Sequence, residues 1–198
     1  MPSSPVDTAP SAAQQLRAAT HDAHVAVESL PMQQALSEGT LERADYVAIL
    51  QRHHALLARW ERDQHDWLRA LPAQQWTYRW RVPALQHDLA QLGQRDVPRD
   101  VTPLQADDRF ARWGMLYVVE GSLLGGRVIA RRLRQHQPGL SGALTYFDLG
   151  SGDPTLWRRF QRCLDAVLLD AAARQSAISG AVAMFRHFHH HLSQETPR

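Results

Sequence analysis

The stretch LYVVEGSLLGGRVI, residues 116–129, places three glycines inside an otherwise apolar helical pattern. A glycine inside a helix costs about 1 kcal/mol relative to alanine, so another interaction must offset that cost. Gly121 and Gly125 lie one turn apart, and their missing side chains clear a strip of bare backbone where the helix can also kink. The pattern leaves three alternatives open: a flat ligand lies on the strip, another helix packs there, or the helix breaks.

Helical spacing of apolar residues continues on both sides of this stretch and predicts an all-α fold. The predicted helices cover residues 12–30, 46–71, 82–92, 110–136 and 174–192. Asp153 and Pro154 predict the first turn of a further helix, because aspartate accepts the unpaired amides and proline needs no partner. Residues 144–147 suggest a short strand, and 93–107 are predicted to form a loop. A length of 198 residues predicts one domain over 11–192, between tails at 1–10 and 193–198.

The composition excludes several classes of protein. With 44% hydrophobic and 21% charged residues, the chain has the composition of a globular domain rather than a disordered one. The single cysteine, Cys163, allows no intramolecular disulfide and no cysteine-rich zinc site, so a reducing cytoplasmic setting is expected. All 22 basic residues are arginine, which excludes lysine Schiff-base chemistry. The net charge of +2 gives no indication of nucleic-acid binding, and no signal peptide or membrane span is predicted.

A polar stripe on the first predicted helix is a candidate ligand site. Arg17, His21, His24 and Glu28 are spaced by four, three and four residues, so they share one helix face. His24 lies nearest the apolar face, where an imidazole can bind a metal or heme iron while a neighbour such as Glu28 orients it. The alternative is a half-buried histidine that contacts only its own helix.

Other polar clusters carry weaker signals. Arg158 and Arg162 lie one turn apart and can bind two carboxylates, although such a pair is more often a solvated face. The histidines at 187 and 189–191 are predicted to be an exposed run with adventitious affinity for nickel or zinc. His53 and His54 are predicted to be core or boundary residues, and Cys163 a small buried hydrophobe.

Two of these motifs together resemble the heme oxygenase family, and the similarity extends over residues 11–192. The string LRAATHDAH, residues 16–24, resembles the family's proximal helix, whose last histidine binds heme iron; His24 takes that place and Glu28 is its neighbour. The stretch at 116–129 resembles the distal helix, whose glycines, here Gly121, Gly125 and Gly126, let the backbone approach heme. It is especially similar to the branch that accompanies bacterial phytochromes.

The resemblance also implies the other residues of the site, with one departure. Ser122 replaces the aspartate that orders the proton-delivering water network in animal-type enzymes, and a hydroxyl carries no negative charge. Glu120 or Arg127 would then have to anchor that network, or proton delivery is weaker. Further positions follow from the family pattern: Arg17, Arg158 and Arg162 hold the heme propionates, His21 replaces a basic side chain, and Phe185 packs near the heme.

The implied fold is a heme oxygenase-like all-α domain, with heme b as substrate and cofactor held between the two helices. The implied reaction cleaves heme at a meso carbon to biliverdin, carbon monoxide and ferrous iron, using O2 and external electrons. Because no flavin or nicotinamide fingerprint is present, the donor is expected to be a separate ferredoxin or flavoprotein reductase, and a bacterial phytochrome is a candidate acceptor of biliverdin. Two alternatives remain: a heme carrier or sensor without turnover, which Ser122 permits, and a thiaminase-like enzyme, which requires a catalytic cysteine or paired carboxylates.

Overall fold

Helices account for all the regular structure in residues 10–94, 101–106 and 108–194, the part of the chain that the computed structural model describes. The all-α prediction is therefore confirmed. The α-helices are α1 (Ala12–Ala19), α2 (His21–Glu28), α3 (Pro31–Glu38), α4 (Arg43–Asp63), α5 (His65–Ala70), α6 (Val82–Gln91), α7 (Arg109–His136), α8 (Thr145–Asp148), α9 (Leu156–Val167) and α10 (Ala171–Ser193). Two short 3₁₀ helices span Leu71–Gln74 and Pro138–Leu140.

The predicted first helix is in fact two helices that meet at Thr20. The hydroxyl and the backbone N–H of Thr20 both donate to the carbonyl of Leu16, at 2.7 and 3.0 Å, and its backbone leaves helical geometry with ψ near 3°. A side chain that competes for its own backbone carbonyl commonly ends or bends a helix. Pro31 then begins α3 at its first turn instead of only closing the segment before it. The break separates Arg17, on α1, from His24, on α2.

The second predicted helix is also divided, here at Gln64. The helix α4 ends at Asp63, and α5 begins at His65, two residues later. Helix α6 matches its prediction closely. Helix α7 runs through all three glycines of residues 116–129 without a break, which excludes the alternative that the helix ends at these glycines. Residues 101–106 form no regular structure, as predicted for the loop, and the rest of that prediction, 95–100 and 107, lies outside the described residues.

Two further boundaries correct the sequence prediction. Residues 145–148 form α8 rather than a strand, because the buried carboxylate of Asp88 accepts the N–H groups of Thr145 and Tyr146 at 2.9 and 2.8 Å and caps a helical turn. Helix α9 begins at Leu156, two residues after Pro154. The Asp153 carboxylate accepts both the N–H and the hydroxyl of Thr155, so it closes a turn before the helix rather than capping the helix itself.

The centre of the fold is the close packing of α7 against α10. A Cβ atom on Gly114 of α7 would lie 1.7 Å from the carbonyl oxygen of Ala177, and one on Gly180 of α10 would lie 2.1 Å from that of Ala111. Since real Cβ atoms do not approach so closely, only glycine permits this backbone contact. Helix α10 also packs against α1, α2 and α4, and it therefore fixes the position of α2 relative to α7.

The ends of the domain differ slightly from the prediction. Helix α10 extends to Ser193, one residue beyond the predicted domain limit, and residues 1–9 and 195–198 of the two predicted tails lie outside the described residues. Among the described helices, none is both long and apolar enough to span a bilayer.

Candidate functional site

His24 lies on α2 with its side chain 51% exposed. Its Nε2 atom is 3.4 Å from Oε1 of Glu28, and its ring meets the half-buried ring of Phe185 edge-on, with the centroids 5.4 Å apart. The Glu28 side chain is 67% exposed, so this contact is weak and Glu28 can rotate into solvent to free Nε2. The structure thus brings together three of the predicted residues and leaves the imidazole accessible to a ligand.

Helix α2 carries no buried residue, although its sequence includes two valines, Val25 and Val27, and it packs against α10. Val25, next to His24, is 43% exposed. The helix packs against α10 and makes little direct contact with α7. The side of α2 that carries His24 therefore remains uncovered.

The glycine-containing part of α7 also presents an uncovered face. Gly121, Leu124, Gly125 and Val128 lie at helical spacing on one side of α7, and we refer to these four residues as the glycine face. Leu124 and Val128 are 42% and 39% exposed, and no atom lies within 4 Å of the position of a Cβ on Gly125. A Cβ on Gly121 would lie 3.7 Å from the indole of Trp157. The face is therefore apolar and open at Gly125, and Trp157 borders it at Gly121.

Gly126, which the family resemblance places among the glycines that approach heme, does not share this face. A Cβ on Gly126 would lie 2.9 Å from the carbonyl oxygen of Phe147 in α8. The glycine is buried and serves the close packing of α7 against α8. Of the alternatives that the sequence left open, helix packing therefore holds for Gly126, while Gly125 retains open space.

Ser122 is exposed, and its hydroxyl donates to the carbonyl of Val119 at 2.8 Å. With its proton used in that bond, the Ser122 oxygen can only accept a hydrogen bond from another group.

The two residues suggested as replacements for the missing carboxylate both have partners of their own, and both line a small cavity beside Leu124. Glu120 is buried and forms an ion pair with Arg81, with Oε1 3.1 Å from Nη2. Arg127 donates to the carbonyls of Gly150 and Asp153 and so secures the turn before α9. Both side chains are held by interactions within the protein.

Tyr117 is a candidate that sequence reasoning missed. It is buried on α7, one turn before Gly121, and its ring lies 5.6 Å from that of Trp157. Burial raises the pKa of Tyr117, while the charge of Arg17 and a hydrogen bond with Thr20 act in the opposite direction. Arg17 is thereby placed beside the Tyr117 phenol. The signal in the sequence was the four-residue spacing of Tyr117, Gly121 and Gly125, which puts them on one helix face.

Arg158 and Arg162 are exposed on α9, and neither has a hydrogen bond or an ion pair with the described residues. Asp165 lies at helical spacing on the same face of α9, and it accepts the N–H of Ala12 at the start of α1 at 2.8 Å. The two arginines are therefore on the side of α9 that borders α1, the helix that carries Arg17. His21 is exposed at the start of α2.

Neither of two cavities in the described structure would hold a macrocycle against the glycine face. A cavity of about 10 Å³ beside α7 is lined by residues that include Glu120, Leu124 and Trp157, and it is too small for a macrocycle. An open groove of about 590 Å³, near His65 and Trp80, includes none of the predicted site residues. A planar ligand on the glycine face would therefore lie against its open surface at Gly125, outside both cavities.

The remaining predicted polar residues are placed away from this cleft. His53 is buried among aromatic rings, and burial together with the charge of Arg52 lowers its pKa to about 4. Burial likewise lowers the pKa of His187 to about 4, and no group of three metal-ligating side chains occurs in the described part of the chain. Cys163 is buried, as predicted; burial raises its pKa to about 11, and its thiol donates to the carbonyl of Gln74. Such a thiol is a poor nucleophile, which argues against the thiaminase-like alternative.

Comparison with known proteins identifies the family of this chain. The heme oxygenase family model matches residues 10–194. A heme oxygenase from Xanthomonas campestris pv. campestris (strain 8004) is 54% identical over 165 residues, which are 83% of this chain and 98% of that protein.

Two solved structures share the fold. The NO- and CO-bound heme oxygenase from Neisseria meningitidis has a TM-score of 0.69 and 21% identity, and the match covers 93% of this chain and 91% of that one. The heme oxygenase from Leptospira interrogans has a TM-score of 0.70 and 19% identity, with coverage of 93% and 99%. The fold and the sequence thus lead to the same conclusion: this chain belongs to the heme oxygenase family and is an enzyme of that kind.

Proposed function

We propose that this enzyme cleaves heme at a meso carbon to biliverdin, carbon monoxide and ferrous iron, using O2 and electrons from outside the chain. The observation that supports this most directly is the pair of uncovered surfaces on α2 and α7. One presents the His24 imidazole, and the other presents bare backbone at Gly125 between exposed Leu124 and Val128.

The residues present fit a heme bound between these two surfaces. Of the four large hydrophobic side chains that are exposed in the described chain, Val25, Leu124 and Val128 lie on α2 and α7. Covering them with a flat apolar macrocycle removes their surface from water, which is worth about 25 cal/mol per Å². His24 would bind the iron, and the edge-on contact with Phe185 would limit rotation of its ring. Bound there, heme would supply both the oxygen-activating iron and the ring that is cleaved.

Three arginines would orient the macrocycle. Arg158 and Arg162 have no hydrogen bond or ion pair with described residues, and both lie on the side of α9 that borders α1, the helix of Arg17. Guanidinium groups bind carboxylates in a fixed planar geometry, so they would fix the two propionates and hence the rotation of the ring within its plane. That rotation decides which meso carbon lies next to the Ser122 side of the cleft.

Ser122 would act as a hydrogen-bond acceptor at the glycine face. Its proton is committed to the Val119 carbonyl, so its oxygen can hold a water molecule without adding charge. Tyr117 is buried one turn away, and burial raises its pKa above the ordinary value, which already keeps the phenol protonated at neutral pH.

The electrons would come from a separate ferredoxin or flavoprotein reductase, because the sequence contains no flavin or nicotinamide fingerprint. A bacterial phytochrome is the proposed acceptor of biliverdin, on the similarity of the stretch at residues 116–129 to the branch that accompanies these photoreceptors.

Addition of hemin to the purified protein tests this proposal. We expect a Soret band that saturates at one hemin per chain and, with a reductant and O2, conversion to the spectrum of biliverdin. His24→Ala should abolish that conversion. His65→Ala is the matched control, because His65 is also about half exposed and lies beside a carboxylate, with Nδ1 3.1 Å from Asp66, but its ring contact is with Trp80 rather than with α2 or α7. Unchanged biliverdin formation by His24→Ala would refute the ligand assignment.

One alternative is favoured by a specific observation. The Ser122 proton is already used, and Glu120 and Arg127 are held by other partners, so neither side chain is free to order water at the glycine face. A heme carrier or sensor would need none. In the same experiment, a stable complex of reduced heme and O2 that yields no biliverdin would support this function instead.

A further inference from the structure

A buried arginine lies directly behind the glycine face. Arg81 is 1% exposed, and its Nη2 atom lies 3.1 Å from Oε1 of Glu120 and donates to the carbonyl of Val119 at 3.4 Å. The contact with Glu120 is an ion pair rather than an aligned hydrogen bond, since neither carboxylate oxygen of Glu120 has a hydrogen-bond partner in the described chain. One guanidinium nitrogen thus contacts both residues that precede Gly121.

Arg81 is itself attached to α4. The buried Glu61 carboxylate accepts the backbone N–H of Arg81 at 2.5 Å and the hydroxyl of Tyr78 at 3.0 Å. The Arg81 guanidinium also lies over the Tyr78 ring, 4.5 Å from its centroid. These contacts connect α4, the segment before α6, and the turn of α7 that precedes its glycines.

The glycine face is the part of α7 that most needs such an attachment. Gly121 and Gly125 have no side chains, so on the glycine face no side-chain packing supports this turn, although Leu123 on another side of the same turn is buried in the core. The Val119 carbonyl accepts both the Arg81 guanidinium and the Ser122 hydroxyl, and it therefore joins the buried charge to the exposed hydroxyl.

We propose that Arg81 is a positioning residue for the reaction: through Glu120 and the Val119 carbonyl, it fixes the turn of α7 that presents the Ser122 oxygen to bound heme. The inference rests on the proposed function, because it requires heme to lie on the glycine face. Arg81 itself does not reach that face, so its effect should depend on Ser122.

This dependence can be measured because the ion pair can be removed as a unit. Removing one partner of a buried pair leaves an uncompensated charge, whereas replacing both with apolar residues of similar size is often neutral for stability. The variant Arg81→Met/Glu120→Leu removes the pair, Ser122→Ala removes the hydroxyl, and the combination of all three completes a cycle with the unaltered protein.

The readout is the pH at which the spectrum of the ferric hemin complex changes from its acid to its alkaline form. The acid form has one more proton to donate to the Ser122 oxygen, so Ser122→Ala should lower this midpoint by roughly 0.5–1 pH unit. The pair variant should shift it in the same direction, and in the Ser122→Ala background it should add less than about 0.3 unit. The dissociation constant for hemin should stay within about threefold in the pair variant, since neither Arg81 nor Glu120 reaches the glycine face.

Additive shifts, or no shift in the pair variant, would show that Arg81 serves only the stability of the core and would overturn the inference while leaving the proposed function intact. The absence of a Soret band from the unaltered protein would overturn the proposed function and the inference together. Should the pair variant show no cooperative thermal unfolding, Glu120→Gln keeps the shape of the side chain without its charge, and the same cycle applies to it with the same two outcomes.

Discussion

The two sides of α7 use the same residue types in opposite ways. On the side that faces α10, Gly114 and Gly180 allow two backbones to touch, and a Cβ on either would overlap a carbonyl oxygen. On the glycine face, Gly125 has no atom within 4 Å of its Cβ position. Histidine divides likewise, since His53 is buried among aromatic rings while half of the His24 side chain is exposed. We refer to the packed side of α7 that faces α10 as the closed side and to the side of the glycine face as the open side. The closed side forms part of the core, whereas the open side leaves space that the packing of the fold does not require.

Gly180→Ala is the change expected to have the largest effect on stability. Its Cβ would lie 2.1 Å from the Ala111 carbonyl, so α7 and α10 must separate along their contact. Overpacking of this kind costs about 3 kcal/mol or more when backbone rather than a side chain must move. Urea unfolding followed by circular dichroism should show the loss. A variant that retains the stability of the unaltered protein would mean that the two helices are not in backbone contact.

The closed side should also make the protein sensitive to acid, through His53. Its pKa is about 4 in the folded protein, against about 6.5 in an unfolded chain, so the unfolded state binds the proton first as the pH falls. The stability contributed by neutral His53 is therefore full above pH 6.5, declines as the pH falls towards 4, and changes no further below that. A difference of about 2.5 units corresponds to about 3 kcal/mol.

The free energy of unfolding at pH 7 and pH 5 tests this dependence. His53→Leu should flatten the pH profile. His187, whose pKa is also about 4, should leave a smaller residual slope because it is only half buried. A profile that is equally steep in His53→Leu would assign the acid sensitivity to other groups.

How much of this contrast the sequence could predict depends on the range of the interactions involved. Amphipathic spacing located the helices, because the residues of one buried helix face recur at intervals of three and four along the sequence. The breaks at Thr20 and Gln64 were missed, since each depends on the backbone geometry of a single residue. The 100° rotation between neighbouring helix positions could have separated Gly126 from Gly125, but only the position of α8 shows that Gly126 is covered.

The same distinction applies to the candidate site. The motif in residues 16–24 identified His24, yet its contact with Phe185 depends on how α2 packs against α10. The Arg81–Glu120 ion pair joins residues 39 positions apart by number and has no local signal. The four-residue spacing of Tyr117 from Gly121 could be recognised in the sequence. Tyr117 became a candidate only because the fold places its ring near Trp157 and exposes it to the charge of Arg17.

Gly125→Leu sharpens the comparison on the open side, where stability and binding should change in opposite directions. Leucine is a better helix former than glycine and nothing occupies the space, so the fold should gain up to about 1 kcal/mol. The side chain would block the glycine face, and hemin affinity should fall roughly tenfold or more. Gln86→Leu, which puts the same side chain on the exposed surface of α6, is the control for hydrophobic effects. Unchanged affinity in Gly125→Leu would place the ligand elsewhere.

The smallest effect on the fold is expected from Arg158→Gln/Arg162→Gln. Both side chains are exposed and have no hydrogen bond or ion pair in the described chain, so stability should change by less than about 0.5 kcal/mol. If these arginines hold the propionates, hemin affinity should fall roughly tenfold, and the loss should be largest at low salt, where charge interactions are least screened. Arg62→Gln/Arg69→Gln removes the same charge from α4 and α5, remote from the cleft, and should bind hemin normally. Equal affinities in the two double variants would show that the arginines of α9 only face solvent. The open side of the molecule would then recognise only the macrocycle of heme, through the apolar glycine face and His24.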